Sequence, residues 1–196
     1  LFFWLPASYH TAPVSVSAAL AGLLTKAAFC ACLRILLVVF GVGTATPAVP
    51  GMPALLAVLA AATMLVSVLA AIAQVDLRRL LAFHVVGQVA YLMMGLALAS
   101  QAGAAAAIFY TMHTMLVQAG LFLGVGAIAR TSGGYDLRAL GGLIREHPVL
   151  SALFAVLALS LSGIPPMSGF WAKALVIDAG VRSGSPWSGW LVSVAA

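Results

Sequence analysis

SVSAALAGLLTKAAFCACLRILLVVF, residues 15–40, is a run of apolar and small side chains interrupted by two basic residues, Lys26 and Arg34. A helix needs about 20 residues to cross the ~30 Å hydrocarbon core of a bilayer, so this run is long enough to span one. Lys26 stands near its middle, where it cannot easily snorkel to either surface. A central lysine costs roughly 2.5–3.5 kcal/mol on insertion scales, so its side chain must face the bundle interior or water. Gly22 and Cys30, one turn to either side, are small and leave room for a partner group or water. A residue that alternates between charged and neutral forms fits this placement, and a lysine held permanently in a structural ion pair is the alternative. Arg34, two turns on, reads as an anchor at the helix end.

Outward from this run the pattern repeats. Further apolar stretches cover residues 53–73, 80–99, 103–129 and 149–180, and another begins near Trp187. Of 196 residues, 64% are hydrophobic and 7% charged, with a mean hydropathy of +1.16. A soluble domain carries about 25% charged residues, so too few are present to cover a water-exposed surface. Residues 1–196 read as a single transmembrane domain, an all-α, polytopic helix bundle seated in a lipid bilayer. The chain opens in an apolar segment without an initiating Met and stops inside another, which reads as an internal fragment of a longer protein.

Charge sorts the connections. Residues 44–50 and 100–102 carry none, whereas Asp76, Arg78 and Arg79, then Arg130, Asp136, Arg138, Arg145 and Glu146, gather on alternate links. The positive-inside rule places those links on the cytoplasmic side of a cell membrane. The net charge of +5 is therefore an orientation signal and does not indicate nucleic acid. Trp4, Trp187 and Trp190 read as interfacial residues. Cys30 and Cys32, two apart on one helix, point to opposite sides and suit neither a disulfide nor a metal site.

The 149–180 stretch is broken by Ser162-Gly163-Ile164-Pro165-Pro166-Met167-Ser168-Gly169. Proline removes a ladder donor and clashes with the preceding turn, so the helix must stop near Pro165-Pro166. Irregular backbone at membrane depth survives only under protein or beside a water-filled cavity, and it often marks an ion pathway. A surface hairpin or re-entrant turn is the alternative. Lys173 follows by about two turns and is a second candidate for proton transfer, unless the break lies near the surface and lets it snorkel.

Two polar stripes accompany the lysines. His84, Gln88 and Tyr91 recur at i, i+4, i+7, and Tyr110, Thr114 and Gln118 at i, i+4, i+8, with Thr111 and His113 flanking the second row. A lone histidine in such a helix is also explained as a satisfied structural residue. Hydroxyl, amide and imidazole groups in rows can hold waters between distant titratable groups, which makes Gln118, Thr114, Tyr110 and Gln88 water-wire candidates and His84 and His113 proton-path candidates. No Walker loop, dinucleotide-binding glycine motif, CxxC pair or serine triad is present, and the acidic residues are not paired within a helix. The reading is a transporter subunit with no cofactor, no metal site and no enzymatic centre of its own.

Leu5-Pro6-Ala7-Ser8-Tyr9-His10-Thr11-Ala12-Pro13 followed by Gly22-Leu23-Leu24-Thr25-Lys26 resembles the antiporter-like subunits shared by Mrp-type Na+/H+ antiporters, respiratory complex I and membrane-bound hydrogenases. Asp76-Leu77-Arg78-Arg79-Leu80-Leu81-Ala82-Phe83-His84, Asp136-Leu137-Arg138-Ala139-Leu140-Gly141-Gly142-Leu143 and the Gly163–Lys173 segment complete the set, in the family's order and over nearly the whole chain. WLPASYHTAP and the histidine of AFHVVGQ look most like the D-type subunits of the Mrp antiporter. The resemblance implies a bundle of about fourteen helices with two inverted five-helix repeats, of which this chain is a part. It implies that Lys26 is the connecting lysine of a central hydrophilic axis and Lys173 the lysine on the broken helix. It also implies other membrane subunits as partners, with protons and monovalent cations (Na+) as cargo, or a proton-translocating place in a redox-driven complex. One departure stands out: D-type relatives often carry two adjacent histidines and then a lysine on the fourth helix, where this chain has His113, Thr114 and Gln118.

Overall fold

Long apolar runs without internal breakers should give long helices, and a computed structural model, which describes residues 4–41 and 51–183, contains them. In chain order they are α1 (Trp4–Thr11), α2 (Val14–Val39), α3 (Met52–Ile72), α4 (Leu77–Ala97), α5 (Gln101–Ser132), α6 (Leu143–Glu146), α7 (Pro148–Ser162) and α8 (Ser168–Arg182). Helices α2 to α5 are each long and apolar enough to cross a membrane. The expected segment from Trp187, with Trp190, and the uncharged link over 44–50 lie outside the described residues.

Caps explain where the boundaries depart from the hydropathy reading. Asp76 caps α4, its Oδ1 accepting from the backbone N–H of Arg78 (2.8 Å) and Arg79 (3.2 Å). The helix therefore starts at Leu77 rather than 80 and takes both arginines into its first turn. Ser100 caps α5 by accepting from Gly103 N–H at 3.0 Å. That helix runs past 129 to Ser132, because the first residue that leaves helical geometry is Gly133, at φ 75°. The fifth stretch is two helices of 15 residues each, α7 and α8, separated at Gly163 (φ 86°) and the cis Pro165-Pro166 bond.

Helices α4 and α5 form the centre of the bundle, with α3 packed along α4 and α2, α7 and α8 against α5. One apolar core joins Leu5 and Tyr9 of α1 to Val85 and Val86 of α4 and Leu121 and Phe122 of α5. A second joins α3, α4, α5 and α8, and a third places Phe29 of α2 among Leu92, Ala107, Tyr110 and Ala172.

The two Asp-Leu-Arg motifs meet at one end of the bundle. Asp76 and Asp136 form an isolated antiparallel bridge, with Leu77 N–H donating to Tyr135 O and Leu137 N–H to Val75 O, both at 3.0 Å. Arg78 stacks 3.7 Å above the Tyr135 ring and donates to Ala12 O at 3.3 Å. Motifs spread along the chain thus clasp both charged links and the α1–α2 junction together. Their chemistry is structural.

Tyr9 is fully buried edge-on against Phe122 (centroids 5.6 Å apart), and its hydroxyl has no hydrogen-bond partner among the described residues. A buried hydroxyl without a partner costs about 1–3 kcal/mol. Tyr9→Phe should therefore leave the fold intact and raise thermal stability in detergent by about 1 kcal/mol; a destabilised variant would reveal a partner for the hydroxyl.

Candidate functional site

Helix α2 is built to hold a lysine inward. Its turn over Leu20–Leu24 is widened to π geometry immediately before Lys26, a distortion common at functional sites. The Ala21 carbonyl accepts from Lys26 Nζ at 2.7 Å and from Thr25 Oγ1 at 3.3 Å. Lys26 is 1% exposed. The room expected around it is absent on the Gly22 side: a Cβ there would lie 3.2 Å from Ala119 Cβ, so the glycine lets α2 approach α5 closely and leaves no free space. Cys30 and Arg34 are exposed, and Cys32 is partly so.

The second partner of Lys26 is Gln118 of α5, whose Oε1 accepts from Nζ. Gln118 in turn donates through Nε2 to Oε1 of Gln88 on α4. Both glutamines are buried. Three helices are thus connected through their interiors by one hydrogen-bonded row, Lys26–Gln118–Gln88. Each partner of Lys26 is neutral, so among the described residues no carboxylate pairs with it. The one ion pair among the described residues joins Asp178 and Arg182 at 2.8 Å, exposed on α8.

Beyond Gln88 lies a cavity of about 560 Å³. Gln88, His84, Tyr91, Tyr110, Ser67, Ser162 and Lys173 supply its polar lining, amid leucine and phenylalanine side chains. Lys173 is half-buried, donates to Ser162 O at 2.9 Å, and lies 5.4 Å from the centre of the Tyr91 ring. Tyr91 stacks on Tyr110 at 5.5 Å. Space of this volume with several polar groups can hold water between Gln88 and Lys173.

The Tyr110, Thr114 and Gln118 row of α5 divides by direction. Tyr110 faces the cavity and Gln118 faces Lys26, whereas Thr114 is fully buried and bonds back to Thr111 O at 3.0 Å. His113 turns toward the break. Its Nδ1 lies 2.9 Å from Ser168 Oγ, which is 3.2 Å from Ser160 Oγ, so one imidazole connects α5 to both halves of the broken helix. Rings of Tyr110 and His113 are 6.1 Å apart, which leaves His113 next to the cavity lining.

Sequence reading missed Ser67, Ser160 and Ser168. Ser67 is 1% exposed on α3, donates to Met64 O at 2.8 Å, and faces Gly87, where a Cβ would come within 2.7 Å of its hydroxyl. Its signal in the sequence is weak, because a serine in an apolar helix can satisfy itself on its own backbone.

Residues 1–196 match the family described as NADH:quinone oxidoreductase/Mrp antiporter, TM. The chain is 42% identical over 180 residues to the D-type Na(+)/H(+) antiporter subunit of Alkalihalophilus pseudofirmus, covering 91% of this chain and 36% of that protein. It is 36% identical over 193 residues to NADH-quinone oxidoreductase subunit N 2 of Sorangium cellulosum, covering 97% and 38%. Among solved structures, a chain of the Mrp complex from a Dietzia species superposes with a TM-score of 0.89 at 38% identity, covering 98% of this chain and 35% of that one. A chain of respiratory complex I from Thermus thermophilus gives 0.76 at 32% identity, covering 98% and 41%. The chain spans a little over a third of the length of these relatives.

Proposed function

We propose, from the premise that this chain belongs to the NADH:quinone oxidoreductase/Mrp antiporter transmembrane family, that it is part of the membrane subunit of a multisubunit monovalent cation (Na+)/H+ antiporter. The observation that carries the reading is Lys26, a lysine buried at the middle of a spanning helix whose partners among the described residues are neutral dipoles. A permanent ion pair would trap its proton; neutral partners leave it able to exchange one. Lys26 and Lys173 are then the two proton-exchanging stations of the path, with His84 and His113 as titratable groups beside the cavity and Gln118, Gln88, Tyr110 and Thr114 as polar supports. The natural setting is a bacterial inner membrane, with the clasped Asp76 and Asp136 links facing the cytoplasm and further membrane subunits alongside.

A second reading has a specific basis in the likeness to NADH-quinone oxidoreductase subunit N 2: a proton-translocating role powered by electron transfer elsewhere in the complex. Vesicles containing the complete complex separate the two. The antiporter collapses an imposed pH gradient when Na+ is added, without NADH or quinone. Proton movement that requires electron transfer and ignores Na+ overturns the first reading in favour of the second. Non-titrating replacements should sort the histidines: His84→Gln and His113→Gln are each expected to slow exchange about tenfold or more, and wild-type rates in both would remove histidine from the path.

A further inference from the structure

Lys26 and the cavity are separated by two amides in direct contact, and amides do not titrate in the range where lysine does. What they can transmit is polarity. A charged lysine carries three donors and no acceptor, so Gln118 must present Oε1 to it. Gln118 then has only Nε2 for Gln88, and Gln88 must answer with Oε1. The donor end of Gln88 is the part left uncommitted by the pair, and Gln88 lines the cavity beside His84 and Lys173.

We propose that Gln118 and Gln88 form a polarity relay that reports the charge on Lys26 to the cavity without carrying a proton. With Lys26 charged, both amides align with their donors toward the cavity, a setting that disfavours a second positive charge there. Neutral Lys26 offers a lone pair and no longer holds Gln118 by a charge-assisted bond, which is roughly twice as strong as a neutral one. The pair is then released to the reverse alignment, in which Gln88 turns Oε1 to the cavity and favours a protonated neighbour. Charge at Lys26 and charge at the cavity thereby alternate. The titratable groups around the pair are His84 and Tyr91 on α4, Tyr110 and His113 on α5, and Lys173 on α8. The carboxylates of the described residues lie in the links, at the exposed end of α6 (Glu146) or at the exposed face of α8. The relay rests on the reading of Lys26 as a group that exchanges protons. It is a property of this chain's Gln118, since a lysine at that position could not accept from Lys26 and donate to Gln88 in the same way.

The test uses the complete subunit in its complex, with glutamine labelled at the side-chain carbonyl with carbon-13. Infrared difference spectra between acid and alkaline pH should show a shifted glutamine carbonyl band that disappears in Lys26→Met and falls by about half in Gln88→Met. Gln88→Glu still accepts from Gln118 but cannot donate onward while ionised. Its Na+-dependent exchange should fall about tenfold, as in Gln88→Met, corresponding to a coupling of about 1.4 kcal/mol. A labelled band that is absent from the unmodified protein, or persists in Lys26→Met, overturns the relay, as does wild-type exchange in Gln88→Glu. If exchange is lost in Lys26→Met while no glutamine band titrates, the relay falls and the proton-path reading stands. If the bands behave as expected but Lys26→Met exchanges normally, that reading falls and the pair remains a sensor.

Discussion

Lys26→Ala is expected to reduce Na+-dependent proton exchange by about a hundredfold or more while the complex still assembles. The size follows from removing a positioned proton-transfer group, which typically contributes 10²–10⁴-fold. Assembly should survive because two effects oppose each other. Gln118 loses a donor, at about 1–3 kcal/mol, but a charge no longer has to be held away from water. Lys26→Arg sharpens the result. Arginine keeps the positive charge and can still reach Gln118, but it does not deprotonate. Equal loss in both variants assigns the role to proton exchange; activity retained in Lys26→Arg would make Lys26 a fixed charge. Exchange measured in vesicles, with complex assembly followed by co-purification, distinguishes all three cases. Normal exchange in Lys26→Ala would overturn the proposed function.

Gly169→Ala is expected to be the most destabilising single-methyl change among the described residues. A Cβ at this position would lie 1.8 Å from the Ser160 carbonyl oxygen, 3.0 Å from its carbon and 3.1 Å from His113 Nε2. The obstruction is backbone, so no rotamer change relieves it, and α7 and α8 must separate. Overpacking of this kind costs about 3 kcal/mol. Separation also breaks the Ser160–Ser168 contact and draws Ser168 from His113, so exchange should fall with stability. Gly134→Ala is the matched control, because a Cβ there meets nothing within 4 Å and should change stability by no more than about 0.5 kcal/mol. Thermal unfolding in detergent measures both, and identical melting of the two variants would show that the break in the helix is not tightly packed.

The departure at Gln118 acquires a different meaning in three dimensions. In the sequence it reads as a lost titratable step between Lys26 and Lys173, which would place more weight on His113. In the structure Gln118 is the direct partner of Lys26, and His113 is turned to Ser168 at the broken helix. Spacing of i, i+4, i+8 put Tyr110, Thr114 and Gln118 in one row, yet the three serve different neighbours. A row along α5 is long enough to face the cavity at one height and Lys26 at another, while Thr114 bonds to its own backbone.

Whatever depends on the free energy of putting a residue into lipid is legible along the chain. Apolar runs of about 20 residues had to become helices, charged links had to stay at their ends, Pro165-Pro166 had to stop a helix, and Lys26 had to face inward. Which inward-facing groups touch is settled by packing alone. Helix α2 meets α5 because Gly22 lets it approach, and the Ala21 carbonyl, in the widened turn before Lys26, accepts from its amine. The contact between Gln118 and Gln88 bridges α5 and α4 across 30 residues of chain. Hydrophobicity is additive along a sequence and can be read from it. Hydrogen-bond partners inside a membrane bundle depend on distances between separate helices, and these are set only when the helices pack.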